Sequence, residues 1–151
     1  MVKTILEQKL REEIIERVLQ LKSNAKPLWG TMNAFQMVKH CQLFEAWIHG
    51  IGNWDYSISR SKPDQATRAL SEVTKDNTPL MQFAPSSEIL IVTEPDGDFE
   101  SERNIWLEHL DRYQNYNNPA FIHDFFGKMS PEQIGILAFK HSDHHLRQFG
   151  V

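Results

Sequence analysis

Seven histidines and a single cysteine, Cys41, are the side chains of this 151-residue sequence best suited to metal or acid–base chemistry. Three of the histidines, His141, His144 and His145, fall within five residues. With one thiol in the chain, any metal site must be built from histidine and carboxylate. His141 and His145 are four apart, so on a helix they project from one face with Cβ atoms about 5–6 Å apart. Two imidazoles so placed can each reach one ion at about 2.0–2.1 Å. His144 and His145 are adjacent and cannot share an ion from one helix face.

A third histidine joins them by its position on another helix. Placing residues at about 100° per step, Trp47, Ile51, Phe44, Met37 and Leu43 fall within about 60° of His40 on either side. His40 therefore sits in the middle of an apolar face, while His49 falls opposite, among Gln42, Glu45 and solvent. On the last helix Ile134, Leu137, Ala138 and Phe149 define the inner stripe. His141 and His145 straddle its centre and His144 lies toward the rim. Three neutral imidazoles in an apolar seam are unfavourable unless each nitrogen has a partner, and one metal ion would satisfy all three. The reading is a His40, His141, His145 site with an open position. Three protein ligands plus water is the catalytic pattern, whereas closed structural zinc sites use four. Taken singly, His40 also fits a satisfied core histidine, and the His141–His145 pair could simply complement a helix C-terminus.

Other residues could line such a site. His109 lies near the edge of the third helix's apolar stripe with Glu102 at that helix's start, and either could be a partner of a ligand or a general base; a solvated rim is the plainer role. His123, beside Asp124, could line the mouth or make a loop hydrogen bond. Arg147 could hold an anionic substrate or favour the helix end. Cys41 reads as core packing.

The elements that must position these residues read as four helices. Thr4 to Lys22 carries Leu6, Leu10, Ile14, Val18 and Leu21 in helical stride, with Thr4 and Glu7 at capping-box spacing; Pro27 ends it. A second helix runs from Asn33, paired with Gln36 as a cap, to about Ile51, ahead of Gly52. The third spans Phe99 to Gln114. The last opens at Ser130-Pro131-Glu132-Gln133, an N-cap serine with proline at the first helical position, and reaches about Phe149. Between the second and third lies Asn53 to Asp98, rich in Pro, Ser, Thr, Asp and Asn, with a helical turn or two over Asp64 to Lys75 and an extended stretch over Glu88 to Thr93. This is read as a crossover packed along the outside of an all-α four-helix bundle, one domain over 1–151. A long central crossover is a standard bundle connectivity, and sites in bundles form from inward side chains on facing helices.

Composition narrows the function classes. Sixteen basic against 20 acidic residues give a formal net charge of −4, which leaves no basic footprint for nucleic acid or an anionic membrane. No apolar run approaches the roughly 18 residues of a spanning helix. The N-terminus is charged throughout, unlike a signal peptide, and the lone cysteine suits a reducing cytoplasm.

Two motif groups resemble a known family. Trp29-Gly30-Thr31-Met32-Asn33, followed by Gln36-Met37-Val38-Lys39-His40-Cys41, is similar to the start of the second helix in the DinB-like superfamily. His123-x-x-Phe126-Gly127-Lys128-Met129-Ser130-Pro131-Glu132-Gln133 and the ending His141-Ser142-Asp143-His144-His145-Leu146-Arg147-Gln148-Phe149 closely resemble a bacterial branch of it that has no agreed activity. The resemblance implies a four-helix bundle of up-down-down-up type and a divalent ion, zinc or nickel. One histidine of the second helix and two of the last would hold it, which maps onto His40, His141 and His145. Relatives include thiol S-transferases and isomerases that use low-molecular-weight thiols such as bacillithiol or mycothiol, and metal-dependent hydrolases; members are often homodimers. The function expected is metal-assisted attack by a thiolate or water on a small electrophile. The competing class is a non-enzymatic binding or stress-response protein whose ion only stabilises the bundle.

Overall fold

The computed structural model describes residues 1–84 and 86–151; Pro85, part of the proline-rich connection, lies outside the described residues. The chain is mostly helical: α1 Gln8–Gln20, α2 Ala34–His49, α3 Pro63–Thr74, α4 Phe99–Asp111 and α5 Pro131–Gln148, with a small antiparallel hairpin of β1 Ile122–His123 and β2 Gly127–Lys128. The third and last helices expected from the sequence are α4 and α5. Helix α2 packs along α4 and against α5, α1 packs against α4 and α5, and α3 lies on α5. Their shared core includes Ile14, Val18, Met37, Trp47, Trp106, Leu110 and Leu146.

The helix starts of α2 and α5 form as their sequences dictate. Asn33 and Gln36 make a reciprocal capping box, as do Ser130 and Gln133, with Pro131 in the first turn of α5. Gly50 closes α2 at φ 72°, the left-handed conformation glycine adopts freely. The start of α1 departs from expectation. Thr4 and Glu7 form no capping box, and the helix begins only at Gln8. The preceding segment is drawn onto α5 instead, where the Ile5 amide donates to the Gly135 carbonyl at 3.0 Å. A Cβ at Gly135 would stand 2.3 Å from Thr4 Oγ1, so α5 accepts this approach only at a glycine. The Arg11 guanidinium covers the Ile5 and Leu6 carbonyls.

The connection between α2 and α4 is more ordered than its composition suggests. In place of a turn or two, Pro63–Thr74 is a three-turn helix, because Pro63 fixes its first turn and buried Ala66 and Leu70, with half-buried Val73, supply an apolar stripe. Lys140 Nζ on α5 donates to the Val73 carbonyl at 2.7 Å and fastens its C-terminal end. Glu88–Leu90 is a 3-10 turn, not a strand, with Leu90 buried; extended backbone resumes at Ile91. Further along, Lys39 pairs with Glu94 at 2.7 Å and Asn33 Nδ2 donates to the Pro95 carbonyl at 2.6 Å. The hairpin is tied in by Asp124, 3% exposed, which accepts from Arg60 Nε at 2.8 Å and from the Ser87 hydroxyl. These bonds anchor the long connection to the start of α2, to α5 and to the hairpin.

The face of α2 opposite His40 is not the solvated one the angular reading assigned. It is covered by α4. Gln42 Nε2 donates to Glu102 at 2.8 Å, His49 Nε2 donates to the His109 carbonyl at 2.9 Å, and Glu45 is 0% exposed. Glu45 accepts from the Tyr113 hydroxyl and, at 3.5 Å, from the Ser142 hydroxyl, so one carboxyl joins three parts of the core. Polar residues on a helix face are taken for a solvated face by pattern reading alone; here each has a hydrogen-bond partner within the fold.

This burial has a pH signature. Desolvation raises the Glu45 carboxyl from 4.5 to about 8, against the lowering effect of its two hydrogen bonds. Between those pH values the folded chain holds a proton the unfolded chain has lost, so stability falls as pH rises through that window. Burial pushes His49 the other way, from 6.5 to about 4; that contribution is present above 6.5 and lost as pH falls toward 4. Glu45→Gln removes the first effect and keeps the second. Thermal melts of the variant should exceed those of the parent by a margin that widens from about pH 5 to about pH 8, and a margin independent of pH would contradict the burial of an un-ionised carboxyl.

Candidate metal centre

His40 faces α5 from the middle of α2, and His141 and His145 come from the last two turns of α5. Their ring centroids form a nearly equilateral triangle: 5.0 Å between His40 and His141, 4.8 Å between His40 and His145, and 4.7 Å between His141 and His145. One ligand nitrogen from each lies within 4.8 Å of the others. His40 and His145 are 4% and 8% exposed, and His141 is half-buried.

The outer nitrogens of two rings are already committed. His40 Nδ1 is 2.9 Å from the Leu90 carbonyl, an acceptor only, so this nitrogen carries the proton. His145 Nδ1 is 2.8 Å from Gln148 Oε1, and Gln148 Nε2 donates onward to the Trp29 carbonyl at 3.0 Å, which fixes the amide's orientation and makes His145 Nδ1 the donor. Both rings therefore turn bare Nε2 lone pairs inward. His40 Nε2 stands 3.0 Å from His141 Nε2, and the His141 ring is held flat against Phe44 at 3.7 Å and 11°. His141 Nδ1 is buried without a hydrogen-bond partner. Converging lone pairs in a buried seam repel one another unless a proton or a cation lies between them. Burial, together with the neighbouring rings, holds His141 and His145 well below the ordinary imidazole range, and burial lowers His40 as well. Neutral imidazole is the form that ligates a metal, so the donor set fits a divalent ion.

Among the described residues, no carboxylate or thiol joins the three histidines. Cys41 is fully buried with its sulfur 3.7 Å from that of Met37. On the open side the histidines border a cavity of about 460 Å³, lined also by Trp29, Met32, Phe83 and Ile91. That is within the size range of small-molecule sites.

The other candidates lie elsewhere. His123 packs on the Trp47 ring at 4.8 Å and is near enough to add to the lowering of His141, but it is not one of the three converging histidines, and its Nδ1 accepts from the Phe125 and Phe126 amides at 3.0 and 3.1 Å. Burial pushes it down to about 4 despite Asp124 beside it. His109 packs against His49, and Glu102 binds Gln42, both on the face of α2 turned away from His40. Arg147 pairs with Asp143 at 2.9 Å, which also binds Arg17. His144, read as a rim residue, does line the cavity; it is 9% exposed, edge-on to Trp29 at 5.6 Å, and its Nδ1 has no partner.

Three supporting residues escape a reading of residue types. Gln148 is three past His145, a spacing that signals contact on a helix. Gly30 is required because a Cβ there would stand 2.7 Å from Gln148 Nε2, and its φ is 79°. Leu90 acts through its carbonyl, which no side-chain pattern announces.

Over residues 3–150 the chain matches the model of a family described as protein of unknown function (DUF1569), and it belongs to that family. No curated protein and no solved structure matches it.

Removing the carboxamide acceptor separates ligand from support. Gln148→Ala should weaken Zn²⁺ binding about 10–100-fold, read by competition with a chromophoric chelator, while His145→Ala abolishes stoichiometric uptake and the helical circular dichroism of both stays as in the parent. Unchanged affinity in both variants would exclude this site.

Proposed function

We propose that this DUF1569 chain is a DinB-like metalloprotein, a four-helix bundle of α1, α2, α4 and α5 with the α3-containing segment as its crossover, that works as a metal-dependent enzyme. In this reading His40, His141 and His145 hold zinc or nickel with one position open, and the reaction is attack by a thiolate or by water on a small electrophile. The observation that carries it is the donor set: three neutral histidines, with no fourth protein donor among the described residues, bordering a cavity. The bundle assignment is supported by the packing of α2 on α4 and α5 and of α1 on the same two helices.

When bound, a divalent ion supplies positive charge that favours the deprotonated nucleophile and stabilises developing negative charge. The chain's own residues do the rest. Leu90 and Gln148 hold the His40 and His145 rings with their Nε2 atoms inward, and Phe44 fixes the plane of His141. Orienting partners of this kind also raise the basicity of the ligating nitrogen. His144 contributes its ring to the cavity wall, held by a hydrogen bond to the Leu80 backbone. A low-molecular-weight thiol as co-substrate, a homodimeric state and a cytoplasmic setting complete the proposal. No helix among the described residues is long and apolar enough to cross a membrane.

One observation favours a second, non-enzymatic reading. The three ligands come from α2 and α5, so an ion there would also staple these helices together. The two readings part on turnover. The Zn²⁺- or Ni²⁺-loaded chain should accelerate displacement of chloride from 1-chloro-2,4-dinitrobenzene by a thiolate, or hydrolysis of 4-nitrophenyl acetate. Chelation or His40→Ala should return the rate to background. A loaded chain no faster than the chelated one on either substrate, but more heat-stable than it, would favour the structural ion.

A further inference from the structure

The walls of the histidine cavity say what kind of molecule it takes. Around its mouth stand Met81, Phe83 and Ile91, which are 76%, 75% and 57% exposed, and deeper in lie Trp29, Met32 and Val92. Large apolar side chains gathered at one opening mark a binding surface. Phe83 is held there at φ 60°, the left-handed region that non-glycine residues seldom occupy. Strain of this sort collects at ligand-binding positions.

Charge tells the complementary half. Among the described residues lining the cavity there is no lysine, arginine, aspartate or glutamate. Of the cations on the surrounding helices, Lys39 pairs with Glu94, and Arg17 and Arg147 share Asp143; none of the three lines the cavity. Of the polar lining, Gln36 is committed to its capping box and the Glu94 carbonyl and Gln148 to His145 and the Trp29 carbonyl, while Thr31 and Ser86 bring only neutral hydroxyls. His144 Nδ1 is left as a polar group without a partner.

We infer that the substrate of this site is an uncharged apolar or aromatic body with a single metal-seeking end, such as a hydrophobic monothiol. This rests on the metal reading of the three histidines. Those ligands are neutral, so an ion among them keeps its full charge and accepts one anionic donor atom. A further carboxylate, sulfonate or phosphate on the same molecule would lose its water with no cation to meet it. A thiol co-substrate of the polyanionic sort is therefore a poor fit for the cavity, and an apolar one a good fit.

The test loads the whole chain with Co²⁺ and titrates it anaerobically with phenylmethanethiol or 2-mercaptoethanesulfonate, following the thiolate-to-cobalt absorption. Phenylmethanethiol should half-saturate at a concentration about tenfold lower or better. The double variant Met81→Ser, Phe83→Ser, altered only at exposed positions, should keep its cobalt stoichiometry and lose most of that preference. Equal or tighter binding of the sulfonate overturns the inference, as does a double variant that keeps the preference or that changes oligomeric mass, which would give the apolar rim to a second copy. Nile red, a neutral apolar dye, is titrated in parallel into the chelator-treated chain. If no cobalt is taken up, the metal reading fails and the apolar inference is decided by the dye alone. Enhanced fluorescence lost in the double variant supports it, and no enhancement in the parent overturns it.

Discussion

A neutral imidazole carries one nitrogen that donates and one that accepts, and in a buried seam both need partners. Where α2 meets α5 this requirement falls on three rings at once. Two of them spend their protons on acceptors outside the triad, the Leu90 carbonyl and Gln148 Oε1. What remains inward is one 3.0 Å contact between the Nε2 atoms of His40 and His141, the Nε2 of His145, and a His141 Nδ1 left without a partner. A pair of histidines could share a proton across the 3.0 Å between His40 and His141; the third ring at 4.7–4.8 Å from both centroids makes that arrangement insufficient. Much of the surrounding structure serves to hold this convergence in place.

The support reaches some distance from the rings. Gln148 can orient His145 only because its amide is fixed by the Trp29 carbonyl, and it has room to do so only beside Gly30. Leu90 can reach His40 only because the 3-10 turn that it ends is packed onto α2, with Lys39–Glu94 and Asn33–Pro95 contacts beyond it. On the far side of α2, Glu45 bonds to Tyr113 and Ser142 and links that helix to the end of α4 and to α5 next to His141. An ionised carboxylate there would be costly to bury, and its raised pKa keeps it in the neutral form. The long connection between α2 and α4 thus contributes directly to the site, as it carries Leu90 and the apolar lip of the cavity.

Periodicity revealed the parts of this design that repeat. His40 among Met37, Phe44 and Trp47, and His141 with His145 on the stripe of Ile134 and Leu137, are legible because a helix places residues three and four apart on one face. The caps at Asn33 and Ser130 were legible because their partners lie three residues on. Contacts made by the backbone, or between segments far apart in sequence, were not. Gln42, Glu45 and His49 look solvated until α4 is seen to cover them, and the segment around Thr4 looks like a helix start until Gly135 offers it a place on α5. His123, Glu102, His109 and Arg147 have side chains that could serve a site, yet each is bound into other parts of the fold. Residue type alone does not tell a ligand from a structural polar group; the partner does.

The site's chemistry depends on three imidazoles converging on one ion while a position is left for another molecule. X-ray absorption of the zinc-loaded chain measures this directly. It predicts one zinc per chain with three imidazole nitrogens at about 2.0–2.1 Å and one further oxygen from solvent. Sulfur scattering, fewer than three imidazoles, or a spectrum unchanged by His40→Ala would contradict it.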